Sequence, residues 1–153
     1  MIRLLDSKDS DSYRNLLLET VIDPAFSMDT KTITQMKTVE IIRQIQTSSK
    51  HICTGYFKDR NLIGFCHCSL NSESHCGVIW GMYIEQKQRL KGFGAELIGV
   101  TLKLARSHFD LASFELTTDR LNNAAIRLYS KHGFVYKKTT GDRVAYALIV
   151  DEK

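Results

Sequence analysis

Apolar residues recur at helical spacing near the start of the chain and at alternate positions through its middle, and this change of period predicts the order of elements. Residues 2–5 read as a short strand. From Ser10 to Thr20, Tyr13, Leu16 and Leu17 share one helix face, with Val21 extending it. Asp23-Pro24 ends that helix, because proline disfavours helix in the residue before it. A second helix is predicted over Thr34–Gln46, with Met36, Val39 or Glu40, and Ile42 or Ile45 on one side; Asp23–Lys31 reads as an exposed loop. Then the period becomes two. His51–Phe57, a turn at Asp59-Arg60-Asn61, and Leu62–Cys68 predict a hairpin, and Gly77–Ile84 a third strand. After Gly92 a helix runs to about Ser107, with Leu97, Ile98, Thr101, Leu102 and Ala105 on its apolar face. A strand over Ser113–Thr118, a helix over Asn123–Lys131 stopped by Gly133, and strands over Phe134–Lys138 and Val144–Val150 complete the order. Such an alternation predicts an α/β class protein, a mixed sheet with helices on its faces.

Composition narrows the field. The chain has 153 residues, 43% hydrophobic and 25% charged, with one proline, which fits a single domain over residues 1–153. The net charge of +4 is spread along the sequence, so nucleic acid is not an expected partner, while a mild positive field suits an anionic nucleotide. No segment has the length and apolarity of a membrane span, and Met1–Asp6 lacks the core of a signal peptide. A cytoplasmic protein with reduced thiols is expected. Cys66, His67 and Cys68 cannot converge on a metal from one strand, since His67 points away from the two cysteines; Cys53, Cys66, Cys68 and Cys76 read as small core residues, and no metal is expected.

The chemistry lies further along. Arg89-Leu90-Lys91-Gly92-Phe93-Gly94-Ala95 sits between a strand and an amphipathic helix. Glycines there let backbone approach a ligand, and a helix start leaves N–H groups unpaired at the positive end of the dipole. That is an anion site, suited to a pyrophosphate, and Arg89 and Lys91 add positive charge to it. It lacks the Gly-Lys-Ser/Thr of a Walker loop and the third glycine of a dinucleotide fingerprint. By itself the string also fits a plain tight turn. From Asn122 the chain reads Asn-Asn-Ala-Ala-Ile-Arg-Leu-Tyr-Ser-Lys-His-Gly-Phe, where Asn122 is a natural N-cap and Tyr129 fits a core aromatic equally well.

Taken together, Gly81–Leu97 and Asn122–Phe134 resemble the two hallmark motifs of the GNAT superfamily of N-acetyltransferases. The resemblance covers residues 50–150 well. It implies a central, mostly antiparallel sheet of six or seven strands with helices on both faces, and acetyl-CoA as cosubstrate. Amides of Arg89, Leu90, Lys91, Gly92, Phe93, Gly94 and Ala95 would grip the CoA pyrophosphate. Backbone groups of Met82, Tyr83 and Ile84 would pair with the pantetheine arm, and Gly81 suits the bulge that opens the family's strand. Asn122 would contact the pantetheine and Tyr129 the sulfur. Gln86 stands where many relatives have proline, which alters the turn more than the binding. The Asp23–Phe26 stretch resembles the loop bordering the acceptor pocket, which assigns Phe26 to the substrate. A homodimer is common in the family.

For an acetyl transfer the amine, with a pKa of roughly 10.4, must lose a proton, the carbonyl must be polarised, and the thiolate must be stabilised as it leaves. Tyr129 is assigned to the thiolate and the N–H of Met82 or Tyr83 to the carbonyl. Glu85 is the expected base, unless it is a solvated strand-end charge; Asp119 is next, then Glu115 and His75. Direct attack in a ternary complex is favoured over an acyl-cysteine on Cys66, Cys68 or Cys76. A non-catalytic acyl-CoA sensor of the same fold is the alternative. The acceptor stays open among protein N-termini, lysines, polyamines, amino acids and aminoglycosides.

Overall fold

The computed structural model describes residues 1–23 and 30–150. Strand β1 (Ile2–Leu4) leads through a single 3-10 turn at Ser7–Asp9 into α1 (Ser10–Ile22), followed by α2 (Thr30–Thr34) and α3 (Thr38–Ile45). Next come β2 (His51–Lys58), β3 (Asn61–Asn71) and β4 (Cys76–Ile84), then α4 (Phe93–His108), β5 (Ser113–Asp119), α5 (Asn123–Lys131), β6 (Val135–Thr140) and β7 (Arg143–Ile149). The strands form one seven-stranded sheet in the order β1-β2-β3-β4-β5-β7-β6. Every neighbouring pair is antiparallel except β4–β5, and that parallel step needs the crossover that α4 supplies.

Each sheet face carries its own core. On one, Leu97, Ile98, Leu102 and Ala105 of α4 and Tyr129 of α5 pack on Cys66, Cys68, Ile79, Phe114 and Leu116. On the other, Tyr13, Leu16 and Leu17 of α1, Ile33 of α2, and Ile41 and Ile45 of α3 pack on Phe65 and Tyr83. Alternation along β3 feeds both: Cys66 and Cys68 face α4, while His67 lies against Tyr13 on the opposite side.

The helix read as Thr34–Gln46 starts later, because α2 ends at Thr34 and α3 runs Thr38–Ile45. Lys37 is extended (φ −80°, ψ 157°), and Arg14 of α1 takes the Met36 carbonyl (2.8 Å) and the Thr38 hydroxyl (3.1 Å), so that carbonyl is diverted to a side chain at the break. The buried face of α3 is Ile41 and Ile45, one turn apart, and Val39 is exposed. Nor is Asp23 in an exposed loop: its side chain is buried, and α2 begins at Thr30. The β2–β3 turn is tighter than read, with Asp59 and Arg60 both left-handed (φ 51° and 68°) and Asn61 already in β3. Phe26 lies outside the described residues.

Candidate active site

Pairing between β4 and β5 holds only for Cys76–Val78 against Ser113–Glu115; beyond Val78 the two strands part. At the same level β4 carries one extra residue, because Phe65 pairs with Tyr83 while His67 pairs with Trp80. Gly81 makes this bulge possible. Its φ is +61°, and a Cβ there would stand 2.9 Å from the His67 ring. The gap is a cavity of about 560 Å³, walled by β4 from Ile79 to Ile84, the end of β5, the start of α4 and one side of α5.

The phosphate-loop expectation meets a suitable backbone. Leu90 (φ 64°) and Gly92 (φ 84°) are left-handed, and Gly92 caps α4 with no side-chain acceptor for the first N–H groups. Nothing lies within 4 Å of a Cβ built on Gly92, and Gly94 has only ordinary contacts, the nearest being Met82 Cε at 3.5 Å. Internal packing therefore requires neither glycine, and only the left-handed backbone at Gly92 calls for one. Open backbone facing a 16-residue helix's positive end is an anion cradle. Arg89, Leu90, Gly92, Phe93 and Gly94 line the cleft, as do Met82, Tyr83, Ile84, Asn122 and Tyr129. Lys91 and Ala95 are not on its wall; Lys91 is exposed and bonds Gln88 (3.4 Å).

Two side chains differ from their expected duties. The Arg89 guanidinium is engaged within the protein: Nε bonds the Ile84 carbonyl (3.0 Å) and the other nitrogens pair with the buried carboxylate of Asp23, which also accepts from Tyr83 Oη (2.8 Å). Its charge is spent tying the end of α1 to the loop. Glu85 is off the cleft altogether. It lines a separate polar hollow of about 500 Å³ with Ser12, Glu19 and Lys58, and pairs with Lys87 (3.7 Å). Past the bulge, Tyr83 packs on the α1 side of β4 while Met82 and Ile84 pack toward α4, and Glu85 follows Tyr83. The single cleft carboxylate among the described residues is Asp119, at the end of β5, whose Oδ1 accepts from Leu121 N (2.8 Å). Glu115 pairs with Val78 at the last rung before the strands part but does not line the cleft, and His75 lies beyond the far, paired end of β4 beside Asp110.

The second signature forms as read. Asn122 caps α5 through Oδ1 and the Ala125 N–H (3.1 Å), which fixes the helix so that Tyr129 projects across the cleft. Tyr129 is 9% exposed, and its hydroxyl donates to the Met82 sulfur at 3.8 Å. Burial pushes its phenol well above the usual tyrosine range, so it is a proton-bearing donor at neutral pH. The thiols of Cys53, Cys66, Cys68 and Cys76 are buried and none lines the cleft. Cys53 does lie beside a histidine, 3.7 Å from His67 Nε2, but inside the core; burial pushes the Cys66 thiol up to about 12 and Cys53 well above its ordinary value. Among the described residues no group of three His, Cys, Asp or Glu is placed to hold a metal.

Sequence reasoning passed over Trp80, Thr117, Thr118 and Arg143 on the cleft wall. Thr117 and Thr118 had a weak signal, two polar residues leading to the end of a strand. Arg143 had none, because it reaches the cleft by pairing β7 with β5 and bonding the Thr117 carbonyl (3.2 Å).

The fold is shared with solved structures. An acetyltransferase of the GNAT family from Streptococcus pneumoniae superposes with a TM-score of 0.85 at 20% identity, covering 99% of each chain. The PaiA N-acetyltransferase from Thermoplasma acidophilum, in complex with coenzyme A, gives 0.81 at 19% identity and 98% coverage of each. YncA from Salmonella typhimurium, a putative acetyltransferase with acetyl-CoA, gives 0.80 at 17% identity, covering 100% of this chain and 95% of that one. No curated protein matches in sequence. The Acetyltransferase (GNAT) family model matches residues 17–134. With that match spanning most of its length, and with the bulge, the parted strands and the glycine loop in place, this chain belongs to the GNAT acetyltransferase family.

Proposed function

We propose that this protein moves the acetyl group of acetyl-CoA to a primary amine by direct attack in a ternary complex. The observation that carries this reading is the gap between β4 and β5, flanked by an open-backbone anion cradle at one end and a tyrosine aimed at β4 from the other side. Amides of the Leu90–Gly94 loop and the start of α4 receive the pyrophosphate. The pantetheine lies along β4 from Ile84 to Met82, where the chain has parted from β5, and the thioester stops at the bulge. There the N–H of Met82 polarises the carbonyl. Tyr129 donates to the leaving sulfur; with its proton held by burial, its contribution is a hydrogen bond to developing thiolate rather than a ready acid. The contact of its hydroxyl with the Met82 side chain supports this reading, because it points the hydroxyl at the strand along which the pantetheine would lie. Asp119, the cleft carboxylate, takes the amine proton through water.

The test is release of free CoA from acetyl-CoA with a panel of primary amines. Saturable, amine-dependent release supports transfer. A protein that binds acetyl-CoA and releases no CoA with any amine is the acyl-CoA sensor instead.

A further inference from the structure

Trp80 is the chain's single tryptophan, and it sits on β4 between the last residue paired to β5 (Val78) and the bulge at Gly81. Unlike Ile79 and Met82, which pack toward α4, it lies on the α1–α3 side of the sheet. One face of the indole is stacked on His67, with centroids 4.1 Å apart and planes 12° from parallel. The indole N–H donates to Ser69 Oγ at 2.8 Å. The stack rests in turn on a continuous chain of bonds. Ser69 Oγ meets His51 Nδ1 (3.0 Å), His51 Nε2 meets the Gln44 carbonyl (2.7 Å) and His67 Nδ1 (3.1 Å), and His67 Nε2 meets Tyr13 Oη (2.9 Å). Tyr13 Oη donates to Gln44 Oε1 (2.7 Å). A chain that satisfies every one of these groups fixes the ring in place, yet Trp80 is 36% exposed and forms part of the cleft wall.

An aromatic ring stacked on one face, about a third exposed and set in the wall of a reaction cleft, is a platform for a cation or its alkyl stem. His67 is fully buried, and burial together with His51 keeps it neutral, so the support beneath the indole does not itself place a cation against the ring. Taking the proposed amine acetylation as given, we infer that Trp80 is the acceptor platform: the acceptor's primary alkylammonium enters from the α1–α3 side of the sheet, rests on the exposed part of the Trp80 ring, and reaches the thioester through the gap from the side opposite Tyr129. Cofactor and acceptor then approach the gap from opposite sides, which leaves the thioester carbonyl open to direct attack by the amine. The recognised class is a flexible primary alkylamine, such as a lysine-like chain or a polyamine end.

Because Trp80 is the sole tryptophan, its fluorescence reads this site without turnover. Wild-type protein saturated with CoA is titrated with n-butylammonium and, separately, with its neutral counterpart n-butanol. The inference expects a saturable change in emission with the ammonium at concentrations at least tenfold below those needed for the alcohol. No change, or equal responses, overturns it. In parallel, Trp80→Ala is expected to lower kcat/KM for n-butylamine at least tenfold while acetyl-CoA affinity by calorimetry stays within twofold, and Trp80→Phe, which keeps a ring on His67, to stay within about threefold of wild type. Equal activity in Trp80→Ala overturns the platform and leaves acetyl transfer standing. An emission response in a protein that acetylates no amine keeps the cation site and removes the transfer reading.

Discussion

Arg89 and Asp23 form an ion pair that joins the end of α1 to the phosphate-binding loop, although 66 residues separate them in the chain. Asp23 is buried on the pair's inner side and Arg89 is partly exposed. Removing one member of such a pair strands the other, at a cost of about 3–5 kcal/mol where both are buried and less here because Arg89 keeps some water. Asp23→Ala and Arg89→Ala are each expected to lower stability by about 2 kcal/mol and to weaken acetyl-CoA binding by loosening the loop. The double variant should be clearly more stable than the summed single effects predict, by about 1 kcal/mol or more. Urea unfolding of the four proteins measures this. Strict additivity would mean the two side chains act separately.

Gly94 isolates the cofactor from the fold. A Cβ there meets Met82, Leu128 and Ile84 at 3.5–3.8 Å, ordinary packing distances, and alanine is the better helix former. Gly94→Ala should therefore leave the thermal midpoint unchanged or raised, yet reduce acetyl-CoA affinity at least tenfold, about 1.4 kcal/mol, by blocking close approach of the phosphates. Calorimetry on the folded variant decides it. Unchanged affinity would make the loop a mere turn.

Tyr129→Phe keeps the ring against Phe134 and loses only the hydroxyl. It should cut kcat roughly ten- to a thousandfold, with acetyl-CoA affinity nearly intact. Full activity would return Tyr129 to the role of a core aromatic.

The carboxylates separate by position. Asp119 lines the cleft and Glu85 lines the hollow beside α1. Asp119→Asn is expected to depress kcat/KM most at neutral pH, with the defect shrinking as pH rises and free amine becomes available. Glu85→Gln should leave the pH–rate profile in its wild-type shape. The reverse outcome would restore Glu85 as the base.

Much of this was legible because it is local. The face Leu97, Ile98, Thr101, Leu102 and Ala105 follows from spacing on one helix, and all five are buried. The cap at Asn122 is likewise written in a few adjacent residues, whereas the bulge at Gly81 was expected only through the family resemblance. What stayed hidden was long-range. Arg89 looks like a phosphate ligand until Asp23 folds against it, and His67 looks like a lone strand histidine until Tyr13, 54 residues earlier, arrives beside it. The side of β4 on which Glu85 falls was hidden for a related reason: the bulge resets which face each later residue of the strand takes, and one-residue offsets cannot be counted in a sequence.

The buried histidines make an acid-sensitivity prediction with a definite sign. Burial, reinforced by His51, holds the His67 pKa well below its ordinary value, and burial lowers that of His51. In the folded state both stay neutral at pH values where the unfolded chain's histidines, with pKa near 6.5, take up protons. Stability is therefore fully present above about pH 6.5 and falls as pH drops below it, by up to ~1.4 kcal/mol per pH unit for each such histidine. Asp9 sits in a different window: its carboxyl is held low chiefly by its hydrogen bonds with Arg3, so its contribution is lost only below about pH 4. Glu19, raised by burial, acts in the opposite sense but is common to any variant compared. Urea unfolding at pH 7.5, 6.5 and 5.5 should show wild type losing stability steeply, and His67→Gln, though weaker at pH 7.5 through lost stacking under Trp80, declining with about half the slope. His51→Gln offers the same comparison should the first variant fold poorly. Parallel declines in wild type and variant would show that these rings take up protons in place, and that the network beneath Trp80 is not held neutral.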